Sequence, residues 1–111
     1  MNALWSITSE KVKTVIQKIV EISQPRKLVL FGSYVQGNMH LNSDLDVLVV
    51  TGDEIKSPRK ESVRIRRALK GILMSMDILV VPESQLKKLV DVPGLIYRDA
   101  IRNGEVVYES T

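Results

Sequence analysis

Apolar residues recur every three or four positions through residues 9–23, at Val12, Val15, Ile16, Ile19, Val20 and Ile22. That is the period of a helix with one buried face. Thr8 supplies an N-cap, Glu10 an acid in the first turn, and Pro25 bars continuation. The period then changes. Residues 27–31 form a short β-rich run ended by Gly32, and residues 44–50 are apolar on both faces after their first acidic positions, as in a buried strand. Ser57-Pro58 predicts a helix start, cap followed by proline at the first turn. Its core stripe is Ile65, Ala68, Leu69 and Ile72, a helix of about four turns. Residues 77–81 make a third strand stopped by Pro82, and two short helices follow at 83–89 and 95–102. Asn103-Gly104 turns the chain into a last strand at 105–108. No internal repeat, low-complexity tract or Pro/Gly-rich linker interrupts this order.

The order α-β-(short α)-β-α-β-α-α-β predicts one α/β domain over residues 1–111. Strands two and three, joined by a helix, are expected to be parallel through a right-handed crossover. The link between strands one and two is too short for a crossover, so those two are expected to be antiparallel. A doubly wound sheet is thereby disfavoured. The end of strand one and the starts of strands two and three then share one edge of the sheet.

Composition changes this picture little. At 111 residues, 44% hydrophobic and 26% charged, the chain is ordinary globular material. No apolar run approaches the roughly 20 residues of a membrane span, and no signal-peptide pattern opens the chain, so a cytoplasmic protein is expected. The absence of cysteine excludes disulfides and thiolate metal sites. Charge is informative by position. The net +3 is concentrated in residues 56–74, which hold seven basic residues and one acid.

Candidate chemistry converges on the shared edge. Gly32-Ser33 marks the passage from strand one to a short helix, Asp44 and Asp46 open strand two, and Asp77 opens strand three. Residues two apart on a strand share a face, so Asp44 and Asp46 point together and Asp77 can join them from the next strand. Three close carboxylates repel and call for a counter-charge. Oxygen-only ligands select a hard cation, Mg²⁺ or Mn²⁺. A helix N-terminus after Gly-Ser offers N–H groups to an anion. Together these describe phosphoryl or nucleotidyl transfer.

Gly32-Ser33, ten residues, then Asp44-Leu-Asp46 also reads as the GSX10DXD signature of the nucleotidyltransferase superfamily, with Gly37 and Ser43 fitting between. The sequence closely resembles the minimal nucleotidyltransferase (MNT) proteins, the MntA-type antitoxins of HEPN/MNT toxin–antitoxin modules. The resemblance spans nearly the whole chain, through Met76-Asp77-Ile78-Leu79-Val80-Val81 to Ile101-Arg102-Asn103-Gly104-Glu105-Val106-Val107-Tyr108-Glu109. It implies a nucleotidyltransferase-like mixed β-sheet flanked by helices. It further implies that Gly32 and Ser33 hold the triphosphate, that Asp44 and Asp46 bind two Mg²⁺ ions, and that Asp77 shares one and helps deprotonate the attacking hydroxyl. The implied donor is ATP, although no residue specifies adenine. The implied function is that of an antitoxin in a type VII-like system, moving AMP to a tyrosine of a HEPN RNase toxin within a hetero-oligomer.

The last 30 residues are expected to leave little material for an acceptor pocket, so the acceptor is expected from another chain. Two other readings stand beside this one: transfer to a small hydroxylated acceptor such as an aminoglycoside, and a non-catalytic module that blocks a toxin by binding. The basic run of Lys56, Arg59, Lys60, Arg64, Arg66, Arg67 and Lys70 reads first as a solvated face and next as a protein-docking surface. Direct nucleic-acid binding through residues 56–70 is least favoured, because no aromatics interleave for base stacking. His40 is expected in an exposed loop, and Trp5 and Tyr108 are expected to pack.

Overall fold

The computed structural model describes residues 5–39 and 43–110. In chain order the elements are α1 (Ser9–Ser23), β1 (Lys27–Phe31), α2 (Ser33–Gln36), β2 (Leu45–Thr51) and α3 (Pro58–Ala68). There follow β3 (Met76–Pro82), α4 (Glu83–Leu89), α5 (Ile96–Asn103) and β4 (Glu105–Glu109). The four strands form one mixed sheet in the order β3-β2-β1-β4. β2 and β3 are parallel, and β1 runs antiparallel to both β2 and β4. The expected directions of the first three strands hold. What the pattern of residues did not predict is that β4 returns beside β1, pairing Lys27 with Glu109.

Each face of the sheet carries its own core because β2 is apolar at both alternating sets of positions. Leu45, Val47 and Val49 join Leu28, Leu30, Ile78 and Val80 under α1 and α3, whose Val12, Val15, Ile19 and Ile65 close the layer with Leu69, the C-cap of α3. Leu48 and Val50 join Val29, Phe31 and Val81 on the opposite face, packed by Leu86 and Leu89 of α4 and by Tyr97 and Ala100 of α5. Ile65 is fully buried, a burial that contributes about 1.5–3 kcal/mol relative to an exposed side chain. Caps match the sequence. The Thr8 hydroxyl accepts from Lys11 N at 3.2 Å, the Ser57 hydroxyl accepts from Lys60 N at 3.2 Å, and Pro58 occupies the first turn of α3.

Three expectations need correction. α3 stops at Ala68 instead of running on to Ile72: the N–H groups of Lys70 and Ile72 close tighter i→i−3 turns, and Gly71 takes φ 101°. Leu69 and Ile72 still reach the core through that turn. The buried stripe of α3 begins earlier than its apolar residues, at Glu61. Its carboxylate accepts from Ser23 Oγ at 2.6 Å and from Arg64 Nη1 at 3.0 Å, so burial leaves it partnered. Finally, Trp5 is 51% exposed and is no core residue, whereas Tyr108 does pack against the α1/α3 layer. No described helix is long and apolar enough to cross a membrane.

Candidate active site

Register builds the site. The antiparallel β1–β2 ladder sets Phe31 opposite Asp46, and the parallel β2–β3 ladder sets Asp46 opposite Asp77. Along β2, Asp46 alternates onto the face of Leu48 and Val50. Along β3, Asp77 alternates onto the face of Leu79 and Val81. Both carboxylates therefore stand on the α4/α5 face, at the end of the sheet where β2 and β3 begin. α4 starts directly after β3, at the opposite end of that strand from Asp77.

Gly32 completes the approach from β1. It has φ 80° and ψ −155°, a region essentially restricted to glycine, and serves as the N-cap of α2 without a side-chain bond. A Cβ there would lie 2.2 Å from Asp46 Oδ2. Only a glycine lets the turn into Ser33 pass this close to the Asp46 carboxylate. Gly32 thus lies against the Asp46 carboxylate on steric grounds, beside its place in the Gly-Ser motif.

The electrostatics single out Asp46. Partial burial, then the negative charge of Asp77, then that of Asp44, push its carboxyl above the usual carboxylate range. Asp44 sits just before β2 and is exposed, so the expected strand start at Asp44 moves to Leu45. Its Oδ1 accepts a hydrogen bond from Ser75 Oγ. The Asp77 carboxylate has Arg66 Nη2 at 3.7 Å, and the same Nη2 donates to the Ile78 carbonyl at 3.3 Å. Since β3 is an edge strand, that carbonyl is open to a side chain reaching round from α3.

Asp44, Asp46 and Asp77 are therefore neighbours that feel one another's charge. They are not converged into a closed ligand set: among the described residues no three His, Cys, Asp or Glu side chains form a cluster ready to hold a metal. Asp44 is turned to Ser75, just before the neighbouring strand β3, and Asp77 lies toward Arg66 of α3. Sequence reasoning missed both donors. Ser75 carried a signal, standing two residues before Asp77, and Arg66 lay within the basic run but with no pattern to distinguish it from its neighbours. His40 lies outside the described residues.

A mixed sheet with a Gly-Ser turn leaving one strand and carboxylates opening the next two is the architecture of a nucleotidyltransferase domain. The chain belongs to the family described as Polymerase beta, Nucleotidyltransferase, which matches residues 10–111. Among solved structures it is similar to a candidate nucleotidyltransferase from Sulfolobus solfataricus, with TM-score 0.61 and 16% identity over 90% of this chain and 78% of that one. It is also similar to a toxin–antitoxin solved with AMP-PNP, with TM-score 0.56 and 21% identity over 89% of this chain and 74% of the other. At these identities the two likenesses bear on the fold alone. A search of curated proteins finds no match.

Proposed function

We propose that this domain transfers AMP from ATP to a tyrosine hydroxyl of a HEPN-type RNase toxin and so acts as the toxin's antitoxin. The observation that carries the transferase chemistry is the pairing of Asp46 with Asp77, beside Asp44, with the pKa of the Asp46 carboxyl raised first by partial burial and then by the charges of Asp77 and Asp44. A divalent cation is the natural counter-charge for such a group, and an oxygen-only donor set fits Mg²⁺ or Mn²⁺. Asp44 and Asp77 are exposed, which leaves the carboxylates accessible to a triphosphate from solvent. The partner reading is supported by the MNT resemblance of the sequence and by the fold likeness to a toxin–antitoxin bound to a nucleotide analogue.

In this reading Asp44 and Asp46 would hold two Mg²⁺ ions, with Asp77 a further ligand. Bound magnesium supplies Lewis acidity, lowering the pKa of the incoming hydroxyl and stabilising the departing pyrophosphate. The chain's own residues do the rest. Gly32 keeps the backbone close to Asp46, while the N–H groups and hydroxyl at Ser33 orient the triphosphate. Asp77 receives the tyrosine proton as the phenolic oxygen attacks the α-phosphorus. The bond to the β-phosphate oxygen breaks, and pyrophosphate leaves with its electron pair.

The test is incubation with Mg²⁺ and α-labelled ATP, alone and with a candidate HEPN partner, followed by intact mass. One or more AMP units on the partner, absent with Asp44→Asn/Asp46→Asn, supports protein adenylyl transfer. Label on an added aminoglycoside without any partner would move the assignment to a small acceptor. Tight complex formation with no mass change, and equal toxin block by the double variant, would replace transfer by occlusion.

A further inference from the structure

The outer face of α3 presents a row made by Arg59, Val63 and Arg67, flanked by Lys60 and Arg64. These positions point away from Glu61, Ile65 and Leu69, which face the core. Arg64 is neutralised by Glu61 at 3.0 Å. Arg59, Lys60 and Arg67 have no ion-pair partner among the described residues. A shallow groove of about 770 Å³ runs along Ser57, Arg59, Lys60, Val63, Arg64 and Arg67. Its lining is mainly the aliphatic stems of the basic side chains together with Val63, which is 43% exposed.

From this arrangement we infer that the outer face of α3 is a docking surface for the acceptor protein, and that it recognises an acidic segment bearing an apolar side chain seated at Val63. An apolar centre within a charged rim is the anatomy of a protein interface, where Arg is enriched. A nucleic acid rewards the cations alone, and this face offers no aromatic ring on which a base could stack. Placement supports the same choice. α3 runs from the end of β2 back toward the start of β3, so the groove leads along the domain to the edge that carries the carboxylates. At that end Arg66, adjacent to Arg67, lies 3.7 Å from Asp77. α3 covers the face of the sheet opposite the carboxylates, so a partner held along its outer side reaches them by passing round the β3 edge, where Arg66 approaches Asp77. The role as acceptor dock rests on the transferase reading above, whereas the surface's preference for acidic protein does not.

The experiment separates the two. A fluorescein-labelled helical peptide of Glu and Ala with one central Leu is titrated by anisotropy at physiological salt. The controls are the same peptide with Ser for Leu and a single-stranded RNA of equal charge. The expected result is saturable binding of the Leu peptide, weakened about tenfold or more by Arg59→Glu/Arg67→Glu and several-fold by Val63→Ser. Circular dichroism melts confirm that these exposed substitutions leave the fold intact. Where AMP transfer is detected, the charge reversal should raise KM for the protein acceptor and leave KM for ATP unchanged. Absence of AMP transfer with peptide binding intact would sink the transferase reading and leave the docking surface standing. RNA binding at least as tight as the Leu peptide, insensitive to Val63→Ser, would make this a nucleic-acid surface and overturn the inference. Binding of neither probe would return α3 to a solvated face.

Discussion

Gly32→Ala puts the steric argument for the site to its hardest test. The new Cβ would sit 2.2 Å from Asp46 Oδ2, where an ordinary carbon–oxygen contact needs roughly 3.3 Å. The carboxylate must therefore retreat by about 1 Å, and at the proposed metal site such a displacement costs about 10²-fold in rate. The backbone adds its own penalty, since φ 80° and ψ −155° strain any residue with a Cβ by about 1–3 kcal/mol. Expected outcomes are a fall in Tm on the order of 10 °C and a loss of transfer rate well beyond what the folded fraction explains. Gly94→Ala is the control: φ is 83° there, but no atom lies within 4 Å of the added Cβ. That variant should lose about 1–2 kcal/mol and keep its activity. Denaturant melts and single-turnover transfer, measured on both proteins at a temperature where both are folded, make the comparison. Equal stability loss with equal activity in the two variants would refute the claim that Gly32 exists to admit the Asp46 carboxylate.

Asp46→Asn should stabilise the domain at pH 7 while abolishing transfer. The folded pKa of Asp46 lies above its unfolded one, so wild-type stability falls as pH rises between the two, and the amide escapes that fall. The gain should shrink toward pH 4, and melts from pH 4 to 7 that show a constant or inverted difference would contradict it. Millimolar Mg²⁺ or Mn²⁺ should raise the Tm of the wild type reversibly with EDTA and leave Asp44→Asn/Asp46→Asn unmoved, by calorimetry. Thr51→Val removes a buried hydroxyl that has no hydrogen-bond partner; stability should hold or rise by about 0.5–1 kcal/mol, and a loss above that size in urea melts would show a hidden partner. Ser23→Ala deprives the buried Glu61 carboxylate of its 2.6 Å bond and should cost about 1–2 kcal/mol.

Much of this architecture was legible because it is written in local pattern. The Thr8 and Ser57 caps, the glycine after Phe31 and the all-apolar run from Val47 to Val50 each act within a few residues. The short β1–β2 link settled the antiparallel pairing, and that pairing places Asp46 beside Gly32. Long-range facts were hidden for a matching reason. Whether β4 would lie beside β1 or beside β3 depends on how two exposed helices pack, and neither helix announces its neighbour. The bond from Ser75 to Asp44 joins residues about thirty positions apart. The Arg66–Asp77 approach depends on where α3 ends, which the apolar spacing overestimated by a turn. Glu61 was masked by its chemistry: a carboxylate in a core stripe reads as surface until Ser23 is brought beneath it.

The return of β4 to β1 has a consequence for motion. β1, β2 and β3 are connected through α2 and α3, whereas β4 pairs Lys27 with Glu109 about 80 residues later. It sits at the rim of the sheet, with Glu105, Val106 and Glu109 exposed. Closing so long a span is the entropically expensive step of assembly, and a rim strand with few buried side chains is the first to open. Gly32, Asp44, Asp46 and Asp77 all lie on the other three strands or at their ends. Amide exchange should then be fastest in β4 and α5 and slowest in β2, so the carboxylate edge keeps its geometry while the far margin of the sheet breathes.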